Sequence, residues 1–233
     1  MKSFTNLIQD VQKPGLCHRC GGCVTFCSAV NFGALELDSE GKPRYADEDK
    51  CIECGLCYTI CPEIDELDDE TKLKSGWRAP IGRVIETAIA RASDRSIREK
   101  ATDGGVVTAL LVHLFKSGRI DGAIVTRQAG PFQREPFLAV SEADIRDAAG
   151  FFFDTSHGMQ RFSDYYLTYS QFREFHPLIQ KGLQRVAFVG TPCQIRAVRR
   201  MQTLNISLRI QSNFVWVFSV PAILSMVRKS RPK

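Results

Sequence analysis

Nowhere in these 233 residues is there a Gly-x-Gly-x-x-Gly dinucleotide fingerprint or a Walker A loop. Nor is there an apolar run long enough to span a bilayer: the stretch 214–227 is interrupted by Ser219 and Pro221 and falls short of the about 20 residues required. That stretch is expected to be a buried terminal segment, and no membrane span is expected. The opening MKSFTNLIQD lacks the apolar core and cleavage site of an export signal, so a cytoplasmic, reducing setting is expected, in which disulfides are rare. Basic residues are scattered and match no nucleic-acid-binding motif, which argues against DNA or RNA as a partner.

What the chain does have is cysteine, and in one place. Eight of nine cysteines fall within residues 1–61 as two copies of one spacing, Cys17, Cys20, Cys23, Cys27 and Cys51, Cys54, Cys57, Cys61. Three thiolates two residues apart converge from one tight loop onto three corners of an iron-sulfur cubane, while the fourth reaches only the neighbouring cluster. One 4Fe-4S cluster is therefore expected on Cys17, Cys20, Cys23 and Cys61, the other on Cys51, Cys54, Cys57 and Cys27. Gly21, Gly22 and Gly55 lie inside the loops, where bare backbone N–H groups approach sulfur. Pro62 follows the last cysteine, whereas Ser28 stands where a proline is common after Cys27. A disulfide framework conflicts with the reducing setting, and zinc sites show paired cysteines across a long gap without this third and fourth ligand.

Charge divides the chain. Up to residue 72 there are seven Lys and Arg against 14 Asp and Glu, net −7; beyond it there are 24 against 12, net +12. An acidic head on a basic body fits either a basic redox partner for the head and an anionic cofactor for the body, or docking between the two halves. The organisation expected is a two-cluster module over 1–62, an acidic, solvated linker over 63–82, and a second unit over 83–233.

In the second unit, 83–92 reads equally as strand or amphipathic helix. Thr102 or Asp103 caps a helix with Val106, Leu110, Leu111, Leu114 and Phe115 at helical spacing; Gly118 stops it, and 120–126 is a buried strand. Residues 185–190 form another short strand that turns directly into a helix at 191–201. Strand, turn and helix in this order predict an α/β body with partly parallel strands behind an α+β head. Both helix starts, Thr102-Asp103-Gly104-Gly105 and Gly190-Thr191-Pro192-Cys193-Gln194, offer a close backbone approach and unpaired N–H groups to an anion.

The cluster cysteines, the segment TDGGVVTALLVHLFKSGRIDGAIV and the segment VAFVGTPCQIRAVRRMQ together resemble the coenzyme F420 hydrogenase/dehydrogenase beta-subunit family over 15–205. The resemblance implies a bacterial-type two-cluster ferredoxin module followed by an α/β flavin-binding domain that looks incomplete. It implies FAD, and coenzyme F420 as hydride substrate, with electrons passing between the flavin and two 4Fe-4S clusters. By the same resemblance Thr102, Asp103, Gly104, Gly105, Val106 and Thr108 line the flavin, as do Gly190, Thr191, Pro192, Cys193 and Gln194. The partners implied are redox subunits of a hydrogenase, a formate dehydrogenase, a heterodisulfide reductase or an F420H2 dehydrogenase complex, the last allowing a place peripheral to a membrane. The chain departs from the family at 150–158, which has no lysine, and after about 206, where the pattern fades. Two other readings are a flavin-free two-cluster electron-transfer subunit and a ferredoxin-dependent flavin reductase of another substrate.

Isolated residues carry less. Cys193 is read as buried packing or flavin lining rather than as a reactive thiol, His18 as an exposed loop residue and His113 as a satisfied core residue. His157 is the histidine best placed for proton handling, and the aromatic residues of 151–172 read as core or interface.

Overall fold

Two copies of one backbone turn build the cysteine-rich head. In the computed structural model, which describes residues 2–30, 32–101, 104–130, 133–150, 180–204 and 217–219, Arg19 and Glu53 both take left-handed dihedrals, φ +55° and +52°. Two residues on, Gly21 and Gly55 do the same, at φ +81° and +75°. Each glycine then opens a one-turn helix, α2 at Gly22–Thr25 and α3 at Leu56–Thr59. The repeat in sequence is thus a repeat in dihedral angles, which curls each Cys-x-x-Cys loop around its own concavity.

The head has its own core. Helix α1, Phe4–Leu7, runs on through a wider turn to Gln12, with Ser3 N–H donating to Asn6 Oδ1 at 2.8 Å across its first turn. Phe4, Leu7 and Val11 from this segment pack with Cys23, Val24, Leu35, Cys57, Tyr58 and Ile64. A short hairpin, β1 at Leu35–Leu37 and β2 at Pro43–Tyr45, closes one side. Ser28 donates its hydroxyl to the Leu35 carbonyl, so the residue replacing proline ties the Cys27 segment to β1 through a hydrogen bond.

Part of the acidic run, though largely exposed, is helical and docked. Residues Asp68–Lys74 form α4, lying against the long helix of the body. Its first turn carries Asp68, Asp69 and Glu70, where negative charge suits the helix dipole, and Lys72 and Lys74 sit in the last. Asp68 reaches Arg196 at 3.1 Å, Lys74 Nζ donates to the Thr203 carbonyl at 2.6 Å, and Thr203 donates to Thr71 at 3.2 Å. Part of the charge division between the halves is consumed in this docking. The chain then opens into loop, and 83–92 is neither strand nor helix: Ile85 and Ile89 point to solvent, and only Ala92 is buried.

Among the described residues the body is a four-stranded sheet in the order β4-β3-β5-β6, with β3 at Gly122–Gly130, β4 at Gln133–Ala139, β5 at Val186–Gly190 and β6 at Val217–Ser219. β3 and β4 are antiparallel; β3, β5 and β6 are parallel. Helix α5 spans Arg95–Lys100, α6 Val106–Lys116, α7 Glu142–Asp147 and α8 Pro192–Thr203.

Strand alternation assigns a helix to each face. Ala123, Val125, Ala187 and Val189 face α6, with its Leu111, Val112 and Leu114. Ile124, Val186 and Phe188 face α8, with its Ala197, Val198 and Met201. Phe26 and Ile60 from the head complete that second core, so head and body share buried apolar surface. Two expectations for α6 change. Its N-cap is Gly105 at φ +74°, with Thr102 and Asp103 outside the described residues, and Leu110 and His113 lie on its solvent side. His157, the aromatic segment 151–172 and all of 214–227 except β6 also lie outside the described residues.

Candidate functional site

None of the nine cysteines, all of them among the described residues, forms a disulfide. Eight of them stand around two cavities in the head. One cavity, with about 340 Å³ of empty space, is lined by Cys17, Cys20, Cys23 and Cys61 together with His18, Gly21, Pro62 and Glu63. The other, about 390 Å³, is lined by Cys27, Cys51, Cys54 and Cys57 with Phe26, Phe32, Ile52 and Gly55. Among the described residues no three His, Cys, Asp or Glu side chains converge closely enough to share a single metal ion; the thiols are spread over the two cavity walls.

The electrostatics of these walls fit an iron-sulfur core. Burial pushes the Cys23 thiol well up, reinforced by neighbouring Cys61, Cys57 and Cys17. Burial also raises Cys27, takes Cys57 to about 12 with help from Cys54, Cys27 and Cys51, and takes Cys61 to about 11. Cys23, Cys27, Cys57 and Cys61 resist becoming thiolates unless positive charge sits among them, which iron supplies. Cys57 acts on Cys23 across the two sets, and both are buried in the core of the head, so the cavities share a wall.

The body meets this head at the start of α8. Thr191 caps the helix, its N–H donating to Gln194 Oε1 at 2.9 Å, and Gln194 is 2% exposed. Cys193 then lies within 3.1 Å of Thr191 Oγ1 and is the hydrogen-bond partner of Cys20 in the first loop. Cys20 donating to Cys193 lowers the latter's thiol to about 6 against the pull of burial, while Cys20 is raised well up by the same contact and by its own burial.

Gly104, Gly105, Val106 and Thr108 open α6, and Gly190, Thr191, Pro192, Cys193 and Gln194 join β5 to α8. α6 leads through a short turn into β3 and packs on one face of the sheet. β5 is parallel to β3 and by their register ends level with Thr126, where α8 begins, while β3 runs on to Gly130. The two helices lie on opposite faces of the sheet, and α8 starts at the carboxyl end of β5, the kind of place at which α/β sheets bind ligands.

The glycines there have a further reason. A Cβ at Gly105 would meet Ile97 Cγ2 at 2.7 Å, and one at Gly190 would meet Gln194 Oε1 at 2.6 Å and Phe188 Cε1 at 2.7 Å. Both are required by packing of the chain on itself, so neither bare backbone is a flavin cradle on its own evidence.

Arg200 and Asp68 escape a motif-based reading. Arg200 is 1% exposed and donates to the carbonyls of Cys61 and Thr59 and to Asp68. The available signal was an arginine set within the apolar row Ala197, Val198, Met201 of a helix. His18 is exposed in its loop, as expected, and pairs with Glu63 at 3.1 Å.

Comparison with known proteins agrees with this division. The model of the coenzyme F420 hydrogenase/dehydrogenase beta subunit N-terminus matches residues 87–161, that of its C-terminus matches 183–227, and a 4Fe-4S dicluster domain matches 9–62. An uncharacterized protein of Methanocaldococcus jannaschii is 30% identical over 85% of this chain and 56% of its own length. The coenzyme F420-dependent sulfite reductase of the same organism is 29% identical over 84% of this chain and 26% of its own length. The coenzyme F420 hydrogenase subunit beta of Methanosarcina barkeri is 32% identical over 55% and 40%. The chain thus spans between about a quarter and a little over half the length of these relatives. Among the described residues no helix is long and apolar enough to cross a membrane.

Proposed function

The chain belongs to the coenzyme F420 hydrogenase/dehydrogenase beta-subunit family, and from that premise we propose that it is an iron-sulfur oxidoreductase subunit exchanging electrons between coenzyme F420, by way of FAD, and two 4Fe-4S clusters. The observation that carries this reading is the contact of Cys193, at the ligand-binding edge of the sheet, with Cys20 of the first cysteine loop. A cofactor seated at that edge has the first cluster as its neighbour.

In this reading Cys17, Cys20, Cys23 and Cys61 hold the inner cluster, and Cys27, Cys51, Cys54 and Cys57 hold the outer one. The wall around Cys23 and Cys57 keeps water out from between them. Gly104, Gly105, Val106 and Thr108 on one face, and Gly190, Thr191, Pro192, Cys193 and Gln194 on the other, border the flavin position; Thr102 and Asp103 belong to the same proposal through the family. A flavin, when bound, supplies the conversion between hydride and single electrons. Hydrogenase, formate dehydrogenase, heterodisulfide reductase or F420H2 dehydrogenase subunits are the partner class this family membership suggests.

A second reading, a flavin-free two-cluster carrier, is favoured by one observation: the side-chain space at Gly105 and Gly190 is already filled by Ile97, Phe188 and Gln194. Anaerobic purification followed by iron, sulfide and flavin analysis, with reduced F420 and a viologen dye as the assay pair, separates the two. The first reading expects two clusters, bound flavin and dye reduction; clusters without flavin establish the second; fewer than two clusters per chain overturn both.

A further inference from the structure

Arg200 is the largest side chain fully withdrawn from water among the described residues, and the electron path just proposed does not use it. A buried guanidinium is always charged and is tolerated only when its donors are met. Here they are met on two sides. Toward the head, Arg200 donates to the carbonyls of Cys61 and of Thr59, the latter at 3.4 Å. Away from it, Arg200 donates to Asp68. Asp68 also pairs at 3.1 Å with Arg196, which is itself half exposed, so Arg200 does not hold the carboxylate alone. The guanidinium touches the Cys61 carbonyl directly, and the carboxylate is held through it.

Arg200 stands behind the Cys61 backbone and not in the lining of the first cavity, and no buried Lys or Arg lines the second. Lys50 borders it, but that side chain is 58% exposed and paired with Asp47 at 3.0 Å, so water and the carboxylate screen it. Phe32 and Ile52 on that rim face solvent.

We propose that Arg200 is a positioning residue for the inner cluster, fixing the Cys61 backbone from the body and, through its buried charge, making that cluster the better electron acceptor of the two. This rests on the two-cluster reading above. The step it biases is transfer of one electron from the cluster of Cys27, Cys51, Cys54 and Cys57 to that of Cys17, Cys20, Cys23 and Cys61. One is oxidised by one electron as the other is reduced by one, and no bond or proton changes hands. The gained negative charge is stabilised by a cation that water does not screen.

The test is an anaerobic redox titration followed by electron paramagnetic resonance on the full chain, with iron and sulfide counted for every sample. Arg200→Gln is expected to make one of the two potentials more negative by at least the equivalent of a tenfold change in electron partition, about 59 mV for a one-electron couple, and to move the other much less. Arg200→Lys, which keeps the charge, should stay within about threefold of wild type even if it lowers the melting temperature as much. Asp68→Asn removes the counter-charge and should shift the same potential upward, and its sign decides the matter if Arg200→Gln does not retain its clusters. Two full clusters with potentials indifferent to Arg200→Gln, or an Asp68→Asn shift that is absent or downward, overturn the proposal while leaving the cluster reading intact. A wild-type protein without two clusters overturns the cluster reading itself, and this proposal with it.

Discussion

Cys20 and Cys193 are hydrogen-bond partners across the boundary between the cysteine-rich head and the sheet body. One belongs to the first cysteine loop; the other stands at the first turn of α8, the helix that leaves the carboxyl edge of the sheet. The contact brings the first turn of α8 up to the first cysteine loop.

That geometry distinguishes Cys193 from a ninth ligand. Cys193→Ala is expected to retain the full iron and sulfide content of the wild type, because the four thiols lining each cavity remain, while Cys20→Ala loses iron. Anaerobic metal analysis checks this, and a Cys193→Ala protein that is short of iron would make the thiol a ligand.

The crossing of the fourth ligands is open to a direct test. Cys61→Ala, although it lies in the second repeat, is expected to remove the cluster held by the first loop and to leave about half the iron. Its remaining paramagnetic signal should match that of Cys17→Ala and differ from that of Cys51→Ala. A match with Cys51→Ala instead would mean that each repeat holds its own cluster.

Gly105 and Gly118 separate two reasons for glycine. Both have positive φ, +74° and +64°, but a Cβ at Gly105 meets Ile97 Cγ2 at 2.7 Å, whereas one at Gly118 meets nothing within 4 Å. Gly118→Ala should lose about 1 kcal/mol from backbone strain alone. Gly105→Ala, with the clash added, should lose about 2–4 kcal/mol. Urea midpoints of the two variants measure the difference, and equal losses would remove the steric argument.

Asp68 makes the docking of α4 on α8 sensitive to acid. Burial pushes its carboxyl up, but Arg200 and Arg196 more than offset this and hold it below the usual carboxylate range. A folded value below the unfolded one means that Asp68 stabilises the fold fully above the unfolded value, about pH 4, and that this contribution is lost as pH falls through the folded value. Asp68→Asn should therefore be less stable than wild type near neutrality, by on the order of 2 kcal/mol, with the gap closing below about pH 4. Paired denaturation curves from pH 7 down to pH 3 read it; a gap that does not change with pH would exclude the carboxylate as its source.

How much of this was legible beforehand follows from the range of each interaction. Helix α6 and strand β3 were readable because apolar spacing over 106–116 and the apolar run Ala123-Ile124-Val125 are local signals, although the strand starts at Gly122 and runs to Gly130. The helix after β5 was readable from the run that follows the strand, expected over 191–201; in the structure it starts at Pro192, and Thr191 is its cap. The residues 83–92 misled because alternating apolar residues imply a buried face, and here Ile85 and Ile89 have none. The acidic run misled for the opposite reason: its composition looks solvated, yet the partners that fold it, Arg196, Arg200 and Thr203, come from the far end of the chain.

The curl of the two cysteine loops is written locally, since thiol spacing and the glycines at Gly21 and Gly55 act over a few bonds. Which of those loops faces the body is settled by long-range packing. Bringing Arg200 to the Cys61 carbonyl and Cys193 to Cys20 depends on the order of strands in the sheet and on the face that α8 presents, and burial of shared apolar surface, not residue spacing, sets both.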